Sequence, residues 1–328
     1  MKRREFVAVV GGGAAAWPLA AWAQSSATPV VGFVNGRSPE DSAAVAAAFR
    51  KGLSEAGYFE PRNVTVEYHW LEGRYDLLPS LMADLVRRGV TVIATPGSSP
   101  AAIAAKAATT TIPIVFGAGG DPVKMGLVTS VARPDGNVTG VNFFLGDITA
   151  KRLELLHGLI PKAVRLAVLV NPSNTVTAEA VRRDMPEAAR SMGLQIEFLN
   201  ASNSREIEAA FDTLVRDRMD ALFVTPDGFF TSRRVQLATF AAHYGVPSAH
   251  GTREEVEAGG LMSYGTDLIE MFRQVGTYTG QILKGAKPAD LPVLQSIKFE
   301  FVINLQTARL LGIEVPNAIQ LLADQVIE

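Results

Sequence analysis

Two serines and an aspartate stand where a small charged ligand could be gripped. Ser98 and Ser99 end the stretch Thr95-Pro96-Gly97-Ser98-Ser99, between an apolar run and an alanine-rich one that reads as a helix. Hydroxyls at a helix start, together with its free backbone N–H groups, suit a carboxylate; a serine that only caps the helix is the equal alternative. Asp227 follows Ala221-Leu222-Phe223-Val224 and precedes Gly228-Phe229-Phe230, so it could hold an ammonium beside an aromatic surface. An ordinary turn aspartate before glycine is the competing reading. Asn35, Phe116 with Gly117, Asn171, Thr225 and His250 stand at the ends of further apolar runs. Tyr264, just ahead of a helical stretch, either lines the same site or packs at a hinge. Asp121 and Asp267 read as helix caps, Asp121 with Pro122 at the first helical position.

These residues meet only if the elements between them form a particular frame. From Pro29 onward, short β-branched runs alternate with longer stretches of helical period, the pattern of parallel sheets covered by helices. Strands are expected at 30–34, 64–68, 90–94 and 112–116, with helices over 39–56, 77–88, 100–108 and 123–131. A second series has strands at 165–170, 195–199, 221–224 and 246–249 and helices over 178–192, 205–216 and 233–244. Pro186 should kink the first of these helices, and Ile207, Phe211, Leu214 and Val215 should form the buried stripe of the second. The two series match in order: Val34-Asn35 with Val170-Asn171, Thr95-Pro96 with Thr225-Pro226, Pro113 and Gly117 with Pro247 and Gly251.

The fold class this predicts is α/β, with two doubly wound Rossmann-like lobes joined by crossing strands. Extended segments at 136–146 and 259–266 are where the chain would cross. The first lobe is expected to comprise 28–144 plus about 266–290, and the second 145–265 plus about 291–328. Ligands of such sheets lie beyond the carboxyl ends of the strands, so the matched loops would face each other across one cleft.

The 328-residue chain carries a formal net charge of −2 and no long basic run, which leaves nucleic acid an unlikely partner. Cysteine is absent, which excludes disulfides, thiolate nucleophiles, thiolate metal sites and a lipidated cysteine. His69, His157, His243 and His250 make no HExxH pair, and neither a GxSxG elbow nor a GxxxxGK[ST] loop occurs. Neither catalysis nor a metal or other cofactor is therefore expected. The first 23 residues read as an export leader: Lys2, Arg3 and Arg4, an apolar stretch from Phe6 to Ala20, and Ala21-Trp22-Ala23 as a cleavage site after Ala23. That stretch is too short, and too interrupted by Pro18, for a membrane span. Gly11-x-Gly13-x-x-Ala16 inside it also fits a dinucleotide-binding loop, which makes a Rossmann-type oxidoreductase the rival reading. Its context is poor, because Trp17-Pro18 would spoil the helix that such a loop opens.

Four segments carry a resemblance. They are Arg3-Arg4-Glu5-Phe6 with Ala-Trp-Ala-Gln, Gly120-Asp121-Pro122-Val123 running into Gly126-Leu127-Val128, Arg133-Pro134-Asp135-Gly136-Asn137-Val138-Thr139-Gly140, and Thr307-Ala308-Arg309-Leu310-Leu311-Gly312-Ile313. In them the chain resembles the ABC-transporter substrate-binding proteins of the tryptophan/tyrosine-receptor type. The resemblance implies a type I periplasmic-binding-protein fold with three crossings, a cleft that closes on its ligand, a monomer in the periplasm, and delivery to a membrane permease powered by a separate ATPase. The Arg3-Arg4-Glu5-Phe6 order by itself resembles the twin-arginine export signal, with the general secretory route as the alternative. The family resemblance assigns the ligand carboxylate to Ser98-Ser99 and the ammonium to Asp227; an aromatic acid without an amine stays open. A sensory subunit using the same cleft is a further alternative.

Overall fold

The computed structural model describes residues 28–143, 145–295 and 298–328. The leader, its cleavage point and the dinucleotide-like glycines lie outside the described residues.

Thirteen strands form among the described residues: β1 (Val30–Asn35), β2 (Thr65–Trp70), β3 (Val92–Thr95), β4 (Ile114–Ala118), β5 (Val138–Asn142), β6 (Arg165–Val170), β7 (Gln195–Asn200), β8 (Ala221–Val224), β9 (Ser248–His250), β10 (Met262–Thr266), β11 (Leu294–Gln295), β12 (Phe299–Asn304) and β13 (Gln325–Ile327). They make two sheets, ordered β11-β5-β4-β3-β1-β2 and β13-β12-β10-β9-β8-β6-β7. The order β2-β1-β3-β4-β5 recurs as β7-β6-β8-β9-β10, so the halves share one architecture. All pairings in the first sheet are parallel; in the second, only β10 with β12 is antiparallel.

Each sheet is buried on both faces because successive strand side chains point opposite ways. Val31, Phe33, Val92, Ala94 and Val115 pack on one face with Phe49, Leu53 and Val275. Val34, Ile93, Ile114 and Phe116 pack on the other with Met82, Leu85 and Ala101. The second sheet repeats the scheme, with Leu166, Val168 and Val170 on one face and Ala167 and Leu169 on the other. Phe211, Phe223 and Phe230 are wholly enclosed, each such burial contributing roughly 1.5–3 kcal/mol.

The chain passes between lobes three times: after β5 into the helix Leu145–Leu159, after β10 into the helix Leu268–Leu283, and from β11 to β12. The helix Leu268–Leu283 returns to the first lobe and lies so close to the helix Ala43–Glu55 that a Cβ on Gly52 or Gly276 would overlap backbone of the other helix.

Several local expectations need correction. Leu294–Gln295 pairs with β5, so the stretch from 291 to 295 lies with the first sheet and not with the second lobe. No helix forms over 123–131; Gly126 adopts left-handed backbone (φ 68°) and ends a turn whose start is tied by Asp121 Oδ1 accepting from the Val123 amide at 2.9 Å. The helix expected over 178–192 begins earlier, at Thr175, after the Asn174 cap, and holds Pro186 inside it. In the helix Ser204–Arg216, Ala210 takes the buried place given to Val215, which is exposed, because position 210 falls on the stripe of 207, 211 and 214. No helix of the described residues is long and apolar enough to cross a membrane.

Candidate ligand-binding site

The carboxyl ends of β1, β3 and β4 in one lobe and of β8, β9 and β10 in the other converge on a single cleft. The cleft encloses about 730 Å³ outside protein atoms, mouth included. Phe143, Ile148, Leu268 and Phe272 form its apolar part, and Asn35, Arg37, Ser99, Arg152, Asn174, Asp227 and Thr252 give it polar groups.

Asp227 is fixed by the turn in which it sits. Its backbone is extended, its side chain caps the helix Gly228–Ser232, and the strand β8 before it is buried throughout. Oδ1 accepts from Asn171 Nδ2 and from the Phe229 amide, both at 2.9 Å. Oδ2 accepts from Asn174 Nδ2 at 2.7 Å and from the Tyr75 hydroxyl at 3.0 Å. Burial raises its pKa, and the four donors pull the other way. Tyr75 belongs to the first lobe, so this carboxylate also ties the lobes together.

Three more contacts cross the same edge. Arg37 pairs with Glu254, Arg234 pairs with Asp41 at 2.7 Å, and the Ser38 amide donates to Ser232 Oγ at 2.8 Å. Where they meet, the backbones of Gly36 and Gly228 nearly touch: a Cβ on Gly228 would lie 2.8 Å from the Gly36 carbonyl carbon.

The structure brings Asn35, Ser99 and Asp227 to the cleft and places the other residues singled out in sequence elsewhere. Asn35 is held by its own loop, donating to the Pro96 carbonyl and accepting from the Arg37 amide. Ser98 caps the helix Ser99–Ala108, accepting from the Ala101 amide at 3.4 Å, while Ser99 lines the cleft. Phe116 is wholly buried in the core because its side chain lies on the face covered by helices. Gly117 serves close packing, since a Cβ there would sit 2.9 Å from the Gly97 amide nitrogen. Thr225 is buried and donates to the Leu169 carbonyl; Asn171 acts on the cleft only through Asp227. Tyr264 packs against Phe299 and Phe301.

His250 is enclosed behind the wall. Its Nε2 lies 2.9 Å from Ser248 Oγ, and burial, with the Arg152 charge adding to it, pushes its pKa down to about 3. A neutral imidazole follows, whose Nδ1 stays 3.9 Å from Glu255 Oε2. Among the described residues no cluster of His, Asp and Glu is arranged to hold a metal ion.

Sequence reasoning missed Arg37, Arg152, Phe143 and Phe272. Asn174, three residues after the singled-out Asn171, lines the second wall and caps the helix Thr175–Ser191. Phe272 and Arg152 had no signal in the sequence: each sits inside a helix that reaches the cleft only through a crossing.

A family model described as ABC transporter substrate binding protein matches residues 30–327. A tyrosine-binding protein of Clostridioides difficile (strain R20291) is 28% identical over 270 residues, which cover 82% of this chain and 77% of that protein. Among solved structures, an ABC domain from Streptococcus pneumonia in complex with L-Trp superposes with TM-score 0.81 at 27% identity, covering 92% of this chain and all of that one. The ligand-free, open structure of a substrate-binding protein with adhesive properties from Clostridium difficile gives TM-score 0.60 at 26% identity, covering 88% of this chain and 96% of that one. At nearly equal identity the chain thus superposes better on the liganded relative than on the open one, in keeping with its direct contacts between lobes. A match across nearly the whole chain, on two lobes that enclose one cleft, means that it belongs to the ABC transporter substrate-binding proteins, a non-catalytic, extracytoplasmic family that works with a membrane permease and an ATPase.

Proposed function

We propose that this chain is the exported receptor of an ABC importer and carries a small aromatic carboxylate, with or without an α-amine, to a permease driven by a separate ATPase. The cleft is the observation that carries this reading: Phe143 and Phe272 offer an aromatic body its surface, while polar side chains from both lobes face it. The tyrosine-binding relative and the tryptophan complex support the same ligand class. Asn35, Ser99 and Asp227 from the sequence, joined by Arg152 and Thr252, are the contacts the reading assigns. Export by the leader, with cleavage after Ala23 and no cysteine for a lipid anchor, would leave a free periplasmic monomer.

A thermal-shift screen of the chain beginning at Gln24 against amino acids and aromatic acids tests the reading. Ligand at about 100 times its Kd stabilises the folded state by about 2.7 kcal/mol, which raises Tm by roughly 5 °C. A broad screen without any shift, together with turnover of some solute, refutes it.

A further inference from the structure

Among the described residues, Arg152 is the largest side chain wholly enclosed by the fold, at 1% exposure. Its Nε donates to the Tyr264 carbonyl at 2.7 Å, and its Cζ lies 5.3 Å from the centre of the Phe223 ring. Its Nη1 has no hydrogen-bond partner, although the residue lines the cleft. No acid among the described residues forms an ion pair with it. Glu255, the carboxylate whose charge it feels, accepts instead from the Gly251 amide at 3.0 Å, the Thr252 amide at 2.9 Å and Thr231 Oγ1 at 3.2 Å. An enclosed cation without a contacting anion is costly, and an anionic ligand would offset that cost.

Asp227 supplies the second half of the argument. Among the described residues it is the one acid lining the cleft, and its two oxygens already accept four hydrogen bonds, which fills the four lone-pair positions of a carboxylate. An ammonium could reach it only by displacing a donor. The other cleft cation, Arg37, is matched by Glu254. The cleft therefore has one positive charge without a contacting anion and no free negative one.

We propose that Arg152 anchors the ligand carboxylate and that the ligand carries no ammonium: an aryl-substituted carboxylic acid and not an amino acid. The inference rests on the reading of the chain as a receptor for aromatic carboxylates. Arg152 supplies the charge, and Phe143 and Phe272 cover the ring.

Titration calorimetry on the exported chain with matched probes decides it. The pairs are L-tyrosine with 3-(4-hydroxyphenyl)propanoate and L-tryptophan with 3-(indol-3-yl)propanoate; 3-(4-hydroxyphenyl)propanamide is the uncharged control. The amine-free acid of each pair should bind at least about tenfold tighter than the amino acid, because a buried ammonium would find no free carboxylate. It should also bind at least about tenfold tighter than the amide. R152Q should lower acid affinity by about 100-fold and leave amide affinity within about threefold. Amino acids binding as tightly as their amine-free partners overturn the ligand class alone. An amide equal to the acid in the unaltered protein overturns the anchor, whether or not R152Q folds. Failure of every probe to bind overturns the aromatic-carboxylate reading beneath both.

Discussion

Gly228→Ala separates closure of the lobes from stability of the fold. Gly228 opens the helix Gly228–Ser232 with backbone that any residue adopts, so alanine fits its own lobe and gains up to about 1 kcal/mol of helix preference. Across the cleft the new methyl would lie 2.8 Å from the Gly36 carbonyl carbon, 3.0 Å from the Arg37 amide nitrogen and 3.1 Å from the Gly36 oxygen. All three are backbone atoms, so no side chain can turn aside. Relief requires the lobes to stay apart by about half an ångström at that point, or a strain of about 1–3 kcal/mol. In an open receptor the methyl has no such neighbours, and the penalty falls only on the closed form. Affinity should therefore drop by about 5- to 150-fold, while the melting temperature without ligand stays level or rises. Titration calorimetry with the best aromatic carboxylate from the screen, paired with a thermal melt, measures both. Unchanged affinity in a folded variant would show that the liganded lobes do not approach as closely as Gly36 and Gly228 do in this structure.

Tyr75→Phe removes one of the four donors to Asp227, and that donor comes from the opposite lobe. A hydrogen bond to a buried charged group contributes about 1.5–3 kcal/mol, so ligand affinity should fall by roughly tenfold or more, with a smaller change in Tm. A lower Tm with unchanged affinity would make Tyr75 a purely structural residue. His250→Gln addresses pH. The folded-state pKa of His250 is about 3 against 6.5 in the free residue, so the unfolded chain takes up its proton first, and the neutral imidazole's contribution, full above pH 6.5, is lost as pH falls towards 3. Between pH 6.5 and 4.5 the stability difference between the native chain and H250Q should shrink by about 2–3 kcal/mol in urea unfolding. The charged groups around it act differently: Arg152 stays cationic, and the raised pKa values of Glu255 and Asp227 favour the fold on acidification. These are common to both proteins, so the difference isolates His250; a constant gap would mean that His250 takes up its proton in the fold as readily as in the unfolded chain.

The frame was legible because its signals are local. Val31 and Phe33 on one face and Val34 on the other give β1 its apolar run, and Gly57, Gly89 and Gly245 follow helices where a left-handed stop is needed. The helix expected over 123–131 failed for a local reason as well, since Gly126 interrupts an apolar spacing that otherwise suits a helix. Strand ends were legible for the same reason, and they led to Asn35, Ser99 and Asp227. They also led to Phe116, Thr225 and His250, which stand at or beside strand ends but face into the lobes. A residue's position along a strand fixes the end of the sheet at which it lies, and its side chain still has two faces to choose from.

The charge that the cleft leaves without a contacting anion was hidden by topology. Arg152 lies mid-helix in Ala150-Lys151-Arg152-Leu153-Glu154, where closely spaced charges of both signs read as a solvated face. Lys151 and Glu154 do form an exposed pair at 2.9 Å, while Arg152, between them, turns inward beneath β9 and β10. Helical period alone cannot single it out, because which side of the helix Leu145–Leu159 faces the sheet depends on where the chain crosses after β5. The same dependence applies to Phe272, whose helix follows the crossing after β10. Groups that reach a cleft by way of crossings are brought there by the assembled pair of lobes and not by the local run of sequence. The loops at strand ends provide a frame common to both lobes, and the residues after the crossings adjust what that frame holds. If so, exchanging residues on the loops should chiefly affect closure, as at Gly228 and Tyr75, and exchanging residues after the crossings should chiefly affect which ligand is chosen, as at Arg152.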